Sequence, residues 1–193
     1  MTKKALIVVD IQNDYFPGGK WTLAGADAAA DNAAKVIASA RAAGDLVVHI
    51  RHEVPSEEAP FFVAGSEGAK IHPKAQNLPD EQVVAKHNVN AFRETGLKQI
   101  LDAKGIEELV IVGSMSHMCI DGTTRAASDF GYKVTVVHDA CACRDLEFNG
   151  VLVPAAHVQA AFMAALGFAY ATVVSTGDYV ASIGAVAEET NAV

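Results

Sequence analysis

No uninterrupted apolar run in this chain approaches the ~20 residues that a membrane-spanning helix needs, although 51% of its 193 residues are hydrophobic. The one apolar stretch near the start, Ala5 to Val9, meets a charge at Asp10. That is too short for a signal-peptide core, so it reads as a strand and the protein is expected in the cytoplasm. Positive charge is also in short supply. The formal net charge is -8, and Lys and Arg form no basic stripe, which disfavours nucleic acid and anionic membranes as partners. Cysteine is limited to Cys119, Cys141 and Cys143. An odd count in a reducing compartment argues against a disulfide framework and leaves the question of whether one thiol is reactive. The first strand leads into Asp10-Ile11-Gln12 rather than G-x-G-x-x-G, so a dinucleotide fold is unsupported. Internal repeats are missing as well.

Short β-rich runs do alternate with Ala-rich helical stretches. Strands are expected at Leu6–Val9, Leu46–Ile50, Val83–Lys86, Leu109–Val112, Lys133–Val137 and Ala171–Val174. Helices are expected at Asp27–Ala43, stopped by Gly44, at 96–104 after the capping Thr95, from the fourth strand's loop to Phe130, and at Pro154–Leu166. Alternation of this kind predicts one three-layer α/β/α domain over 1–193. Its sheet is doubly wound, with six mainly parallel strands in the order 3-2-1-4-5-6 and a frayed tail from about 185. The segment from Arg51 to Gln82 carries Pro55, Pro60, Pro73 and Pro79 and reads as a long functional loop.

Ligands of open parallel sheets bind beyond the carboxyl ends of the strands. Asp10 follows the first strand, Lys86 ends the third, and Cys119 lies where the fourth strand's loop enters a helix. A helix N-terminus and a nearby cation lower a thiol pKa, so Cys119 is expected to be an activated nucleophile, with Lys86 as cation and Asp10 as proton acceptor and donor. Singly, each has a plainer reading: a turn carboxylate, a solvated strand end, a small buried hydrophobe. With the third strand two places from the first, Lys86 starts roughly 10 Å from the switch point and its side chain must lean inward. Cys141 and Cys143 read as packing residues, and Asp139 and Arg144 are given no role.

The run Val8-Val9-Asp10-Ile11-Gln12-Asn13-Asp14-Tyr15-Phe16, the mid-chain Val83-Val84-Ala85-Lys86 with Ala91-Phe92 and Thr95-Gly96-Leu97 after it, and the run from Gly113 through Cys119 to Ala127 appear in order. Together they resemble the isochorismatase-like cysteine hydrolases, a superfamily that includes nicotinamidases, N-carbamoylsarcosine amidases, and ureidoacrylate or maleamate amidohydrolases. The resemblance implies that Asp10, Lys86 and Cys119 are a catalytic triad. It further implies that the Ser114–Met115 bond is a non-proline cis peptide and that the Met115 and Cys119 amides form an oxyanion hole. It implies a small-molecule amide substrate and a homodimer or homotetramer. Nicotinamidase-like members carry an Asp-x-His after the second strand; here that stretch is His49-Ile50-Arg51-His52-Glu53, so no metal and no cofactor are expected. Gln12, Phe16, Trp21, His52 and Phe92 are expected to line the pocket, with packing or turn-capping as the plainer alternative for each. Phe61 and Phe62 belong with the same group of loop aromatics. The activity expected is C–N bond hydrolysis through a cysteine thioester. Vinyl-ether hydrolysis of the isochorismatase type, or a thiol redox sensor resolved by Cys141 or Cys143, are the alternatives.

Overall fold

The computed structural model describes residues 3–191, with side chains described as far as Ile183. The elements run β1 (Lys4–Val9), α1 (Ala26–Ala43), β2 (Leu46–His52), β3 (Gln82–Lys86), α2 (Leu97–Lys104), β4 (Glu108–Ser114), α3 (Asp121–Asp129), β5 (Lys133–Ala142), β6 (Leu146–Phe148), β7 (Val151–Val153), α4 (Ala155–Ala169), β8 (Thr172–Val174) and α5 (Thr176–Asn191). The main sheet is wholly parallel, in the order β3-β2-β1-β4-β5-β8. Its sixth strand is β8, because β6 and β7 form a separate antiparallel hairpin that the sequence reading passed over. The signal for it was Asn149-Gly150, both with positive φ, the pair that favours a tight hairpin turn. β5 also runs past its expected end at Val137, through a register shift between Ile111 and Gly113 of β4, so that Cys141 and Ala142 lie opposite Gly113 and Ser114. The tail expected from about 185 falls on the last turns of α5, where side chains are outside the described residues. No helix among the described residues is long and apolar enough to cross a membrane.

The strands read as continuous apolar runs because both faces of the sheet are covered. Along β1, Leu6 and Val8 enter the core beneath α1, while Ala5, Ile7 and Val9 enter the other core with Leu97, Leu101 and Leu166. α1 buries Ala26, Ala29, Ala30, Ala33, Val36, Ile37 and Ala40, a stripe at helical spacing. Its small side chains let the helix backbone approach the sheet. Gly44 ends the helix in the left-handed conformation, its N–H bonded to the Ala40 and Arg41 carbonyls.

The long loop after β2 contains one short 3-10 turn, Pro73–Ala75, and it is tied down at both ends. At its far end the Glu81 carboxylate accepts from Arg41 Nε at 2.7 Å and Nη2 at 2.8 Å, and from the Leu78 amide at 2.8 Å. His49 Nε2 lies 3.0 Å from the same carboxylate. Burial pushes the Glu81 carboxyl up, but the Arg41 guanidinium and the other donors outweigh it and hold the pKa down to about 2. Burial lowers His49, which therefore stays neutral and donates. A depressed carboxylate stabilises the fold fully above its unfolded value of 4.5 and loses that contribution as pH falls toward about 2. Glu81→Gln is expected to cost about 2 kcal/mol at pH 7, a figure discounted for the part-exposed Arg41. Urea melts at pH 7 and pH 3 check it, and roughly half of the difference or more should be gone at pH 3.

Candidate active site

The site forms where β1, β3 and β4 end. Asp10, the first residue beyond β1, takes a positive φ of 50°, a conformation that aspartate tolerates better than most residues. Its amide bonds to the Ile50 carbonyl at 3.1 Å and its side chain is fully buried. Gly113 lets β4 pass close to β1: a Cβ there would lie 1.9 Å from the Val9 carbonyl oxygen. The Ser114–Met115 peptide that follows is cis. A π-helical turn, Ser116–Ile120, then carries Cys119 into α3. Ser116 anchors this turn by donating from Oγ to the Ala142 carbonyl at 3.2 Å.

Lys86 pairs with His52 in the β2–β3 register, and its side chain crosses the end of β2 to reach the other two groups. Its Nζ lies 2.8 Å from Asp10 Oδ2, 2.9 Å from His52 Nδ1, 3.1 Å from the Asn88 carbonyl and 3.1 Å from Cys119 Sγ. The distance between strands is thus spanned by the side chain itself. An ammonium has only three N–H groups. Four acceptors therefore share them, and the Asp10 carboxylate is both the nearest and the charged one. Both Asp10 oxygens are buried, and Lys86 and Cys119 are side chains that reach the carboxylate.

The electrostatics correct one expectation. Burial pushes the Cys119 thiol well up, the Asp10 charge adds to that, and Lys86 opposes both without reversing them. The resting group is therefore a thiol rather than a standing thiolate, since Cys119 is only 3% exposed and a buried anion beside a carboxylate is disfavoured. Lys86 stays charged: burial lowers its pKa, but Asp10 and Cys119 raise it by more. Burial above all, with Asp139 and Cys143 adding to it and the Gly113 backbone opposing it, pushes Cys141 up to about 12. Both Cys141 and Cys143 are free and buried.

The expected pocket residues divide. Gln12 is fully buried and works as a clamp: Nε2 donates to the His52 and Ala69 carbonyls, each at 2.8 Å, and Oε1 accepts from the His52 amide at 2.8 Å. No exposed part of it is left for a substrate. Phe16 stacks on His72 with centroids 3.6 Å apart, and Phe92 packs against Phe130 and Tyr132 in the apolar cluster that also holds Cys119. His52 touches the triad through Lys86. Trp21 connects to it through an aromatic chain, stacking on Phe61, which meets Phe62, which faces His52.

Two contributors were missed. Asp14 accepts from the Phe62 amide at 2.7 Å and the Lys20 amide at 3.1 Å, fastening both loops around the site. A Cβ at Gly68 would sit 2.2 Å from that carboxylate, so glycine is what lets the loop close. Asp14 belongs to the run that drew attention to Asp10, which was the available signal. Arg144 lies over the Trp21 ring, 4.3 Å from its centroid. It has no ion pair or hydrogen bond among the described residues, and it adds to burial in lowering His117 on the Cys119 turn. A lone arginine after a strand carries no such signal in sequence.

Asp10, His52 and Cys119 also present ligand atoms within 4.8 Å of one another, the spacing of a metal site. Lys86 Nζ contacts all three residues at 2.8 to 3.1 Å, so a metal at ~2.0–2.3 Å from those ligands would overlap the ammonium. The donors fit a fixed cation that the chain itself supplies, and a metal does not fit while Lys86 is in place.

Compared with known proteins, residues 4–176 match the isochorismatase domain model. The chain is 48% identical over 172 residues to an uncharacterized isochorismatase family protein of Bacillus subtilis, covering 89% of this chain and 96% of that one. It is 30% identical over 151 residues to the maleamate amidohydrolase of Pseudomonas putida, covering 71% of each. A crystal structure from Oleispira antarctica, of a protein assigned as an isochorismatase hydrolase, superposes with a TM-score of 0.90 at 55% identity, covering 93% of this chain and 97% of that one.

Proposed function

We propose, from the premise that this chain belongs to the isochorismatase family, that it hydrolyses a C–N bond of a small amide or ureido compound through a thioester on Cys119. One observation carries the reading. A buried thiol and a buried carboxylate flank one buried ammonium, whose nitrogen lies 3.1 Å from the sulfur and 2.8 Å from the carboxylate oxygen. In this proposal Asp10 takes the thiol proton as sulfur attacks the carbonyl carbon. The oxyanion rests on the Met115 and Cys119 amides. Asp10 then returns the proton to the leaving nitrogen, the C–N bond breaks and a thioester remains. Asp10 deprotonates the attacking water, and the acid departs as the thiol regains its proton. Lys86 remains an ammonium throughout and offsets the charge that moves between sulfur and Asp10.

The maleamate amidohydrolase relative supports C–N chemistry, and the uncommitted Arg144 guanidinium beside Trp21 supports a substrate bearing a carboxylate. The redox-sensor reading needs an accessible, readily ionised thiol. A 3% exposed Cys119 with a raised pKa does not fit it. Action in the cytoplasm as a homodimer or homotetramer belongs to the same proposal by resemblance alone.

The test is ammonia release from maleamate, N-carbamoylsarcosine, ureidoacrylate and nicotinamide, with intact-mass detection of an acyl adduct after rapid quench. Release from a carboxylate-bearing amide in preference to nicotinamide is expected, with the adduct on Cys119. No ammonia and no adduct from any of them, together with cleavage of isochorismate by a protein lacking Cys119, would replace this reading with vinyl-ether hydrolysis.

A further inference from the structure

His52 is not a member of the triad, yet the structure constrains it more tightly than a loop histidine requires. Its backbone amide and carbonyl are both bonded to the Gln12 side chain, which fixes the ring at the end of β2. Its Nδ1 lies 2.9 Å from Lys86 Nζ. Lys86 is charged, and an ammonium has donors and no acceptor. Nδ1 must therefore accept, and the proton of the neutral ring sits on Nε2. That Nε2 makes no hydrogen bond among the described residues, and the side chain is 14% exposed. It is neither sealed in the core nor freely solvated. The ring faces Phe62 at 6.1 Å between centroids, and one of its nitrogens lies within 4.8 Å of Cys119 Sγ. A carbonyl carbon poised for attack sits ~3–3.5 Å from the sulfur, so groups attached to that carbon come within reach of the ring.

We infer that His52 is a substrate-orienting residue: Lys86 holds it as the Nε2–H tautomer, and that N–H donates to an acceptor oxygen of the bound amide next to the scissile carbonyl. The inference rests on the amide-hydrolase reading and adds to it a requirement on the substrate, an oxygen acceptor near the reacting carbon. The neighbourhood keeps the ring neutral. Burial first, then Lys86 and His87, oppose a second positive charge there, while Asp10 at 3.9 Å favours it, and the balance lowers the pKa. The ring donates and does not exchange protons with the triad, so its contribution belongs to binding.

Two substitutions separate the two nitrogens. In His52→Asn the side-chain oxygen stands near Nδ1 and still accepts from Lys86, but the distal donor is gone. In His52→Gln an amide N–H stands near Nε2. With maleamate as probe, His52→Asn is expected to raise KM roughly five- to tenfold, the loss of one hydrogen bond, with kcat within about twofold. His52→Gln should recover most of that loss. A purely structural role would instead lower kcat in both variants through a displaced Lys86. Long-range nitrogen–proton NMR of histidine-labelled wild type reads the tautomer without any turnover, and Nε2–H at pH 7 is expected. An Nδ1–H ring or an imidazolium at pH 7 overturns the inference, as does an unchanged KM in His52→Asn when the wild type releases ammonia. If no amide in the panel releases ammonia, the hydrolase reading has failed and the inference falls with it.

Discussion

Cys119→Ala is expected to fold normally and to lose amide hydrolysis by at least about a thousandfold, because the proposed route has no other nucleophile. Cys119 is 3% exposed and sits in the apolar cluster with Ile120, Ala127 and Cys141. Trimming one sulfur there leaves a small void and removes the hydrogen bond from Lys86, a cost of about 1–2 kcal/mol. The other two thiols have different partners: Cys141 Sγ donates to the Val137 carbonyl and Cys143 Sγ to the Ala155 carbonyl, and neither contacts Lys86 or Asp10 among the described residues. Ammonia release together with a urea melt separates the two effects. A folded Cys119→Ala protein that keeps a tenth of wild-type activity would rule out the thioester. Asp10→Asn tests the companion step: a neutral amide cannot carry the thiol proton, so acyl adduct should fail to form even though Cys119 is present.

The second large effect is on stability. Lys86 and Asp10 are both fully buried and form an ion pair at 2.8 Å. Removing one partner of such a pair leaves an uncompensated charge out of water, which costs about 3–5 kcal/mol. Lys86→Met is therefore expected to lose about that much unfolding free energy at pH 7, along with all activity. Adding Asp10→Asn to it should restore most of the stability and none of the activity. Lys86 has its pKa raised, burial notwithstanding, so its contribution is fully present below the ordinary 10.5 and lost only as pH rises through the still higher folded value. The cost of Lys86→Met should consequently stay flat from pH 6 to pH 9. A loss below about 1 kcal/mol would mean that the pair contributes little to stability and is retained for chemistry alone.

Local pattern carried a good part of this protein. Apolar runs of three to five residues ending at Asp10, Lys86 and the Gly113 turn named the strand ends, because a strand within a covered sheet leaves a continuous hydrophobic signature and its polar terminus stands out. Strand–helix alternation with right-handed crossovers gave the sheet order, since few topologies satisfy both. Short, exposed segments gave weaker patterns. β6 and β7 put Phe148, Val151 and Leu152 at the surface, so they show no core-facing period, and only Asn149-Gly150 marked their turn.

What needed the tertiary structure was every statement about how groups from distant segments share space. Gln12 and Phe92 look like pocket residues in sequence, because polarity and aromaticity do not say which way a side chain points. The fold turns Gln12 into a clamp on β2 and packs Phe92 against Phe130 and Tyr132 within the cluster that holds Cys119. Asp14 and Arg144 acquire roles only through partners dozens or more than a hundred positions away, Phe62 and Trp21. The sequence predicted a cation near the thiol and hence a lowered pKa. Burial reversed the outcome, because desolvation and the Asp10 charge depend on depth and distance, and neither is encoded in residue identity. The residues that could react were thus legible in the chain. Their protonation states, and the single ammonium that holds three strand ends together, were decided by packing.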